Sequence, residues 1–446
     1  MGLSLPASRH DCEDTRRYVV CDGRPLARQF RRPMTSPTPP RLLSNIWVLD
    51  LSRILSGPWA TQMLGDFGAD VIKIERPGVG DDLRQQGACL QDSAGRDTSE
   101  RATFLAANRA KRSVTIDMAR PEGQALIRQL AATADVVVEN FKTGDLARYG
   151  LDYATLGALN PRLVYCSITG FGQTGPYAQL PGYDLIFQAM GGVMSLTGVP
   201  DGEPGAGPQR AGYPVSDITT GLYATIGVLA ALHHRDTVSG CGQHIDLSLL
   251  DAQVAAVSAM AMGYLVTGQL PVRSGLSSQL TAPYGDFDCA DGKILVAVAN
   301  DKQFTALCQV IGRPELATDP RFDSTPQRVA HRAELRALLN ALLKTLPTGH
   351  WMPLLRAAGV PSGPIHDFRQ VFDDPQIQHR GLVKTLQHPL AGTLPVVGNP
   401  LNFSDTPLQY DKPPPLLGQH TTEVLRELLG LDAAEIERLV QARVIA

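Results

Sequence analysis

The sequence lacks the features that would place it in several large classes of protein. No run approaches the roughly 20 unbroken apolar residues that a membrane span requires; the best stretch, Thr225–Leu232, is far too short. Neither sign of charge dominates, with 41 Lys and Arg against 44 Asp and Glu and a net charge of −3. That balance argues against a nucleic-acid or anionic-membrane partner, which calls for a basic excess. The seven cysteines are scattered and form no CxxC pair, so neither a zinc site nor a redox motif is indicated. The N-terminus has no apolar core of the kind a secretory signal needs. Scattered thiols without such a signal fit a reducing compartment, and a cytoplasmic enzyme is the expectation.

Nucleotide fingerprints are missing too. The turn after the first predicted strand, Ser52-Arg53-Ile54-Leu55-Ser56-Gly57-Pro58, holds one glycine, where a dinucleotide fold carries GxGxxG. No GxxxxGK[ST] phosphate loop occurs anywhere. Redox and ATP chemistry therefore lack support. His233, His234 and His244 do not make a metal site, because adjacent histidines on a helix point in different directions and no other ligand cluster accompanies them.

What is present is an orderly alternation. Hydrophobic residues make up 43% of the 446 positions, enough for a sizeable core. Strands are predicted at 45–51, 69–75, 113–118, 135–139, 163–168 and 243–249. Helices are predicted at 57–67, 121–134, 183–189, 217–233 and 252–265. Strands alternating with helices imply a parallel sheet covered on both faces. The character changes near Ser274: a hairpin-like unit over 283–299 is followed by helices at 303–311, 328–344 and 349–358. The expectation is an α/β protein with a Rossmann-like large domain over 41–240, completed by 420–446. A linker helix region (241–273), a smaller α+β domain (274–375) and a return linker (376–419) complete it. Residues 1–40, with seven arginines and six prolines, read as a disordered tail or as an over-long start with Met34 as the true initiator. Arg16, Arg17, Arg28, Arg31 and Arg32 suit a mitochondrial presequence, whereas Asp11, Glu13, Asp14 and Asp22 do not.

Several ordered segments carry a more specific likeness. They are LDLSRILSGPWATQMLGDFGADVIKIERPGVGDDLR (Leu49–Arg84), NRAKRSVTIDM (Asn108–Met118), ADVVVENFKTG (Ala134–Gly144), CSITGFGQTGPY (Cys166–Tyr177), GYDLIFQAMGG (Gly182–Gly192), VSDITTGLYATIGVLAAL (Val215–Leu232) and PPPLLGQHTTEVL (Pro413–Leu425). Together they resemble the class III CoA-transferases, the CaiB/BaiF family, over nearly everything from 45 to 440. Within that family the likeness is greatest to transferases of succinyl-CoA and glutarate-like dicarboxylates. The resemblance implies an interlocked homodimer. It also implies acyl-CoA and carboxylic acids as substrates, no permanently bound cofactor, and an aspartate nucleophile that passes through an acyl anhydride and an aspartyl-CoA thioester.

The family's aspartate matches Asp217. On spacing alone Asp217 reads as the N-cap of the helix that follows, with helix NH groups able to stabilise negative charge beside it. The resemblance implies coenzyme A contacts at Leu55, Ser56, Arg76, Ile116, Asp117, Met118, Asn140, Phe141, Lys142, Arg148 and Tyr183. Arg and Lys suit phosphates, although Arg76, Lys142 and Arg148 also read as solvated surface charges, and Ile116 and Met118 as strand core. Departures stand out: Ala119 replaces the family's lysine after the Asp-Met pair, Pro181 replaces a lysine of some members, and Ser274–Gln279 stands where some members carry a Gly-rich loop. Related α-methylacyl-CoA racemases carry Gly-His-Asp where this chain has Gly182-Tyr183-Asp184, and tyrosine is a poor base at neutral pH. Racemase and non-catalytic acyl-CoA binding remain the alternatives. Asp184 reads as the N-cap of its own short helix. Arg210 and Arg273 are candidates to pair with an acceptor dicarboxylate.

Overall fold

The computed structural model describes residues 41–446; the readings of the first 40 residues lie outside the described residues. Six parallel strands form the central sheet. From one edge their order is Lys111–Thr115, Asp70–Glu75, Trp47–Asp50, Val136–Glu139, Val164–Thr169 and His244–Ser248. This is the order of the doubly wound dinucleotide folds, with the direction of winding reversing between Trp47–Asp50 and Val136–Glu139. The strands are β-branched and apolar because both faces are buried. On one face Leu49, Ile72, Val114 and Val137 pack with Leu126 and Ile127. On the other, Val48, Val71, Val136 and Cys166 pack with Leu64, Ala224 and Val228.

The chain's last helices, Thr421–Leu429 and Ala433–Gln441, return to this sheet. Val424, Leu425, Ile436 and Leu439 join the first face. Backbone bonds pin the return, from His420 N–H to the Ser113 carbonyl at 2.9 Å and from Asp117 N–H to the Val444 carbonyl at 2.8 Å.

A second core lies between Ala282 and Val360. There the hairpin Tyr284–Cys289 and Gly292–Ala297 gains a third antiparallel strand, Ser362–Pro364. Phe287, Ile294, Phe304, Leu339 and Leu355 pack beneath it. A separate hairpin, Val383–His388 with Gly392–Val397, interrupts the stretch expected to be a plain return linker.

Three local expectations differ. The helix expected over 252–265 is two, Leu249–Ala256 and Ser258–Thr267, bent by 74°. The one expected over 328–344 breaks at His331 into Thr325–Ala330 and Arg332–Leu343. The edge strand expected over 113–118 ends at Thr115, because Asp117 turns the chain by accepting the Ala119 N–H at 3.0 Å. By length and composition the segment Val215–Ser239 is apolar enough to cross a bilayer. Its Ala224, Val228, Ala231 and Leu232 pack against the sheet, which accounts for the apolarity of that face, while Leu222, Tyr223 and Ile226 are exposed.

Candidate active site

Ligands of doubly wound sheets bind beyond the carboxyl ends of the strands, at the point where winding reverses. Here two loops meet at that point. The Asn140 side chain accepts from the Arg53 N–H at 2.9 Å and donates to the Arg53 carbonyl at 2.6 Å. The Arg53 guanidinium lies 5.1 Å from the centre of the Phe141 ring. Between them the chain takes a strained course, with Ile54 at φ +67°, unusual for a β-branched residue. The helix Ser56–Asp66 starts immediately after. Gly57 is required there: a Cβ would lie 2.3 Å from the Ser52 Cβ.

Asp217 comes to this point from the other side. It occupies the first turn of the helix Val215–His234, so it is not the N-cap that spacing suggests. That task falls to Asp184, whose Oδ1 accepts from the Ser216 N–H at 2.8 Å and the Asp217 N–H at 3.3 Å. Asp184 therefore caps this helix rather than its own, Asp184–Met190, which has no side-chain cap. The Ser216 and Asp217 N–H groups, expected to stabilise negative charge beside Asp217, are thus spent on Asp184. The two helices approach closely because position 221 is glycine: a Cβ there would lie 2.9 Å from the Ser56 carbonyl oxygen and 3.0 Å from Trp59. The Ser56 hydroxyl and N–H accordingly reach the Asp217 carboxylate. Burial first, and the Asp184 carboxylate second, push the Asp217 carboxyl up to about 6, with the two Ser56 hydrogen bonds opposing. The outcome is a half-buried carboxylate, oriented but not neutralised by any cation among the described residues, at the winding reversal.

The other predicted positions follow strand ends around the same crevice. Arg76 follows Asp70–Glu75 and Lys142 follows Val136–Glu139; both are exposed, and neither side chain has an ion-pair partner among the described residues. Arg148 is exposed but pairs with Asp145 at 2.8 Å. Leu55 is half-buried at the N-cap of the Ser56 helix. Ile116 is 1% exposed in the core, so only its backbone can meet a ligand. Met118 and Phe141 pack partly against that core, and Asp117 pairs loosely with Arg120. Asn140 is occupied by Arg53. Tyr183 is 74% exposed beside Asp184. Of the dicarboxylate candidates, Arg273 is tied to Asp201 and the Val199 carbonyl, while Arg210 is exposed and unpaired among the described residues. His244 stacks on Tyr153 and bonds the Ser167 hydroxyl at 2.9 Å.

Sequence reasoning missed the charges behind the first turn. Lys73 and Lys111 are fully buried and pair with Asp81 at 2.9 Å and Asp50 at 3.1 Å. Burial, partly offset by Asp50, pushes Lys111 down to about 8. The available signal was a lysine inside an apolar strand, DVIKIE, of a sheet covered on both faces, since a charge there must be paired. Gln188 also escaped notice. It donates to Asp184 at 2.5 Å and accepts from the Ala211 N–H at 2.8 Å, tying the loop ahead of Asp217 to the cap.

Residues 43–421 match CoA-transferase family III. A succinate–glutarate CoA-transferase of Agrobacterium fabrum is 46% identical over 395 residues, covering 89% of this chain and 97% of that protein. A human succinyl-CoA:glutarate CoA-transferase is 39% identical over 414 residues, covering 93% and 92%. The crystal structure of a CaiB/BaiF family protein from Brucella suis superposes with a TM-score of 0.78 at 44% identity, covering 87% of this chain and all of that one.

Proposed function

The chain belongs to CoA-transferase family III and moves coenzyme A between carboxylic acids, and from that premise we propose that Asp217 is the nucleophile, with succinyl-CoA as donor and a glutarate-like dicarboxylate as acceptor. The observation that carries the proposal is the half-buried carboxylate at the winding reversal, held by Ser56 and left without a counter-cation among the described residues. The substrates follow from the names of relatives at 46% and 39% identity.

The steps balance without an outside reagent. A carboxylate oxygen of Asp217 attacks the donor thioester; the C–S bond breaks, leaving an acyl–aspartyl anhydride and CoA thiolate. The thiolate attacks the aspartyl carbonyl and releases the donor acid, leaving aspartyl-CoA. The acceptor carboxylate attacks that thioester, forming a second anhydride and freeing the thiolate again. Attack of the thiolate on the acceptor's carbonyl gives the new acyl-CoA and restores Asp217. Each step exchanges one nucleophile for another, which is how covalent catalysis divides a difficult exchange. Ser56 orients the attacking oxygen. Exposed Arg76 and Lys142 supply cations for the CoA phosphates, and Arg53 with Phe141 forms a flat wall beside them.

An interlocked homodimer completes the proposal. The helix Ser258–Thr267 has no buried residue, and Leu265, Val266, Leu270 and Leu280 are 72–77% exposed. Apolar surface on this scale marks an interaction site, and a second copy is the occupant proposed. Intact mass after incubation with succinyl-CoA and hydroxylamine tests the chemistry. A hydroxamate on the wild type and none on Asp217→Ala supports it. Equal labelling of both, or of neither with any acyl-CoA donor, refutes it.

A further inference from the structure

The first turn rests on a set of buried charges that the transfer chemistry does not itself use. Lys73 is 0% exposed; it pairs with Asp81 at 2.9 Å and donates to the Ser52 carbonyl at 2.7 Å. Asp81 Oδ1 accepts from the Ile54 N–H at 3.1 Å. Asp50 accepts from the Ser52 N–H at 2.9 Å and from Lys111, which also donates to the Pro58 carbonyl at 2.9 Å. Asp50 and Lys73 from two strands, with Asp81 from the turn beyond the second, thus hold backbone groups of Ser52 and Ile54, and Lys111 reaches the start of the helix that carries Ser56.

Backbone strain persists only where the surroundings over-determine it. Ile54, at φ +67°, is such a position. It lies two residues before Ser56, whose hydroxyl and N–H both reach Asp217. A turn that relaxed toward negative φ would rotate the start of the Ser56 helix and misdirect those donors. Simple fold stabilisation does not call for a left-handed isoleucine here, since a glycine would meet the geometry without strain.

We propose that the Lys73–Asp81 ion pair is a positioning element for transfer: by holding the turn at Ile54 it aims the two Ser56 donors at the Asp217 carboxylate. This rests on Asp217 as the nucleophile. Asp217 faces the Asp184 carboxylate from the helix Asp184–Met190 and the Ser56 donors from the helix Ser56–Asp66; no lysine, arginine or histidine opposes it among the described residues. Loss of the Ser56 bonds therefore leaves burial and Asp184 unopposed, and the carboxylate becomes harder to ionise.

The test uses Asp81→Asn and, because a single unpaired buried charge endangers folding, the paired change Lys73→Met with Asp81→Asn. Each is assayed on the full chain, alone and combined with Ser56→Ala. The expected result is a folded protein whose kcat falls by about 10- to 100-fold, the order of effect of a small misplacement at a reacting centre. The KM for the acyl-CoA donor should change little. The acid limb of the pH–rate profile should move to higher pH, as it does in Ser56→Ala, and the combined variants should show no further movement. A folded paired variant with wild-type kcat and acid limb overturns the proposal. So does a loss that simply multiplies with that of Ser56→Ala. If Asp217→Ala itself retains transfer, the underlying assignment of the nucleophile fails instead, and the two failures are distinguishable.

Discussion

Changing Asp184 to asparagine removes one of the two influences that lift the Asp217 carboxyl. Asp217 rises from 3.8 to about 6, burial contributing most and Asp184 next. At roughly 1.4 kcal/mol per pH unit the rise amounts to about 3 kcal/mol against the charged form, trimmed to about 2 kcal/mol by solvent at the partly exposed group. Asp184 supplies the smaller share, so neutralising it should lower the acid limb of kcat/KM for the acyl-CoA donor by about 0.5 to 1 pH unit. The sign follows from the chemistry: only the carboxylate attacks, and the Asp184→Asn variant keeps it ionised to lower pH. An asparagine oxygen still caps the Ser216 and Asp217 N–H groups. Its amide, however, must face the Gln188 amide that now donates at 2.5 Å, and the helix N-terminus loses a favourable charge. Stability should therefore drop by about 1–2 kcal/mol, seen as a lower Tm, while the acid limb moves the favourable way. The assay is a pH profile of kcat/KM at saturating acceptor, with Tm measured alongside. An acid limb that stays in place or moves to higher pH refutes the electrostatic account of the pair.

Asp217→Asn should abolish transfer yet stabilise the protein by about 2 kcal/mol at pH 8. A carboxyl whose folded pKa is raised contributes stability below its unfolded value near 3.8 and loses it as pH rises through about 6. Thermal unfolding should thus show the gain at pH 8 and none near pH 3. Gly221→Ala places a methyl 2.9 Å from the Ser56 carbonyl oxygen; overpacking should cost about 1–3 kcal/mol and reduce kcat more than KM. Arg76→Ala and Lys142→Ala should each raise the KM for the acyl-CoA donor about 5- to 20-fold with little change in kcat, through lost charge-assisted phosphate contacts. Leu265→Asp should shift native mass from dimer to monomer, and an unchanged dimer would remove the helix Ser258–Thr267 from the interface.

Much of the sheet was legible because strands buried on both faces are short apolar runs, and VVVE or VYCSI admits no other placement. The breaks at Val257 and His331 were not legible, since the apolar pattern runs through both. The hairpin at 383–397 was hidden because its strands alternate only weakly. Within the site, Asp217 stood out through the motif around it, but its surroundings did not. Asp184 was read as a cap of the helix it begins, because local spacing says nothing of a helix that starts 31 residues later. Asn140 was assigned to ligand, whereas its amide is spent on the Arg53 backbone.

The sequence by itself therefore indicated the class of fold, through residue type, period and order along the chain, all of which are local properties. Its likeness to a known family supplied the family and singled out Asp217 as the carboxylate to propose. The tertiary structure decided how that carboxylate is governed. A close helix crossing at Gly221, a cap from Asp184, two donors from Ser56 and a strained turn braced by Lys73 and Asp81 all join residues distant in the chain. Burial and charge at Asp217 are sums over such neighbours, and no stretch of sequence contains them.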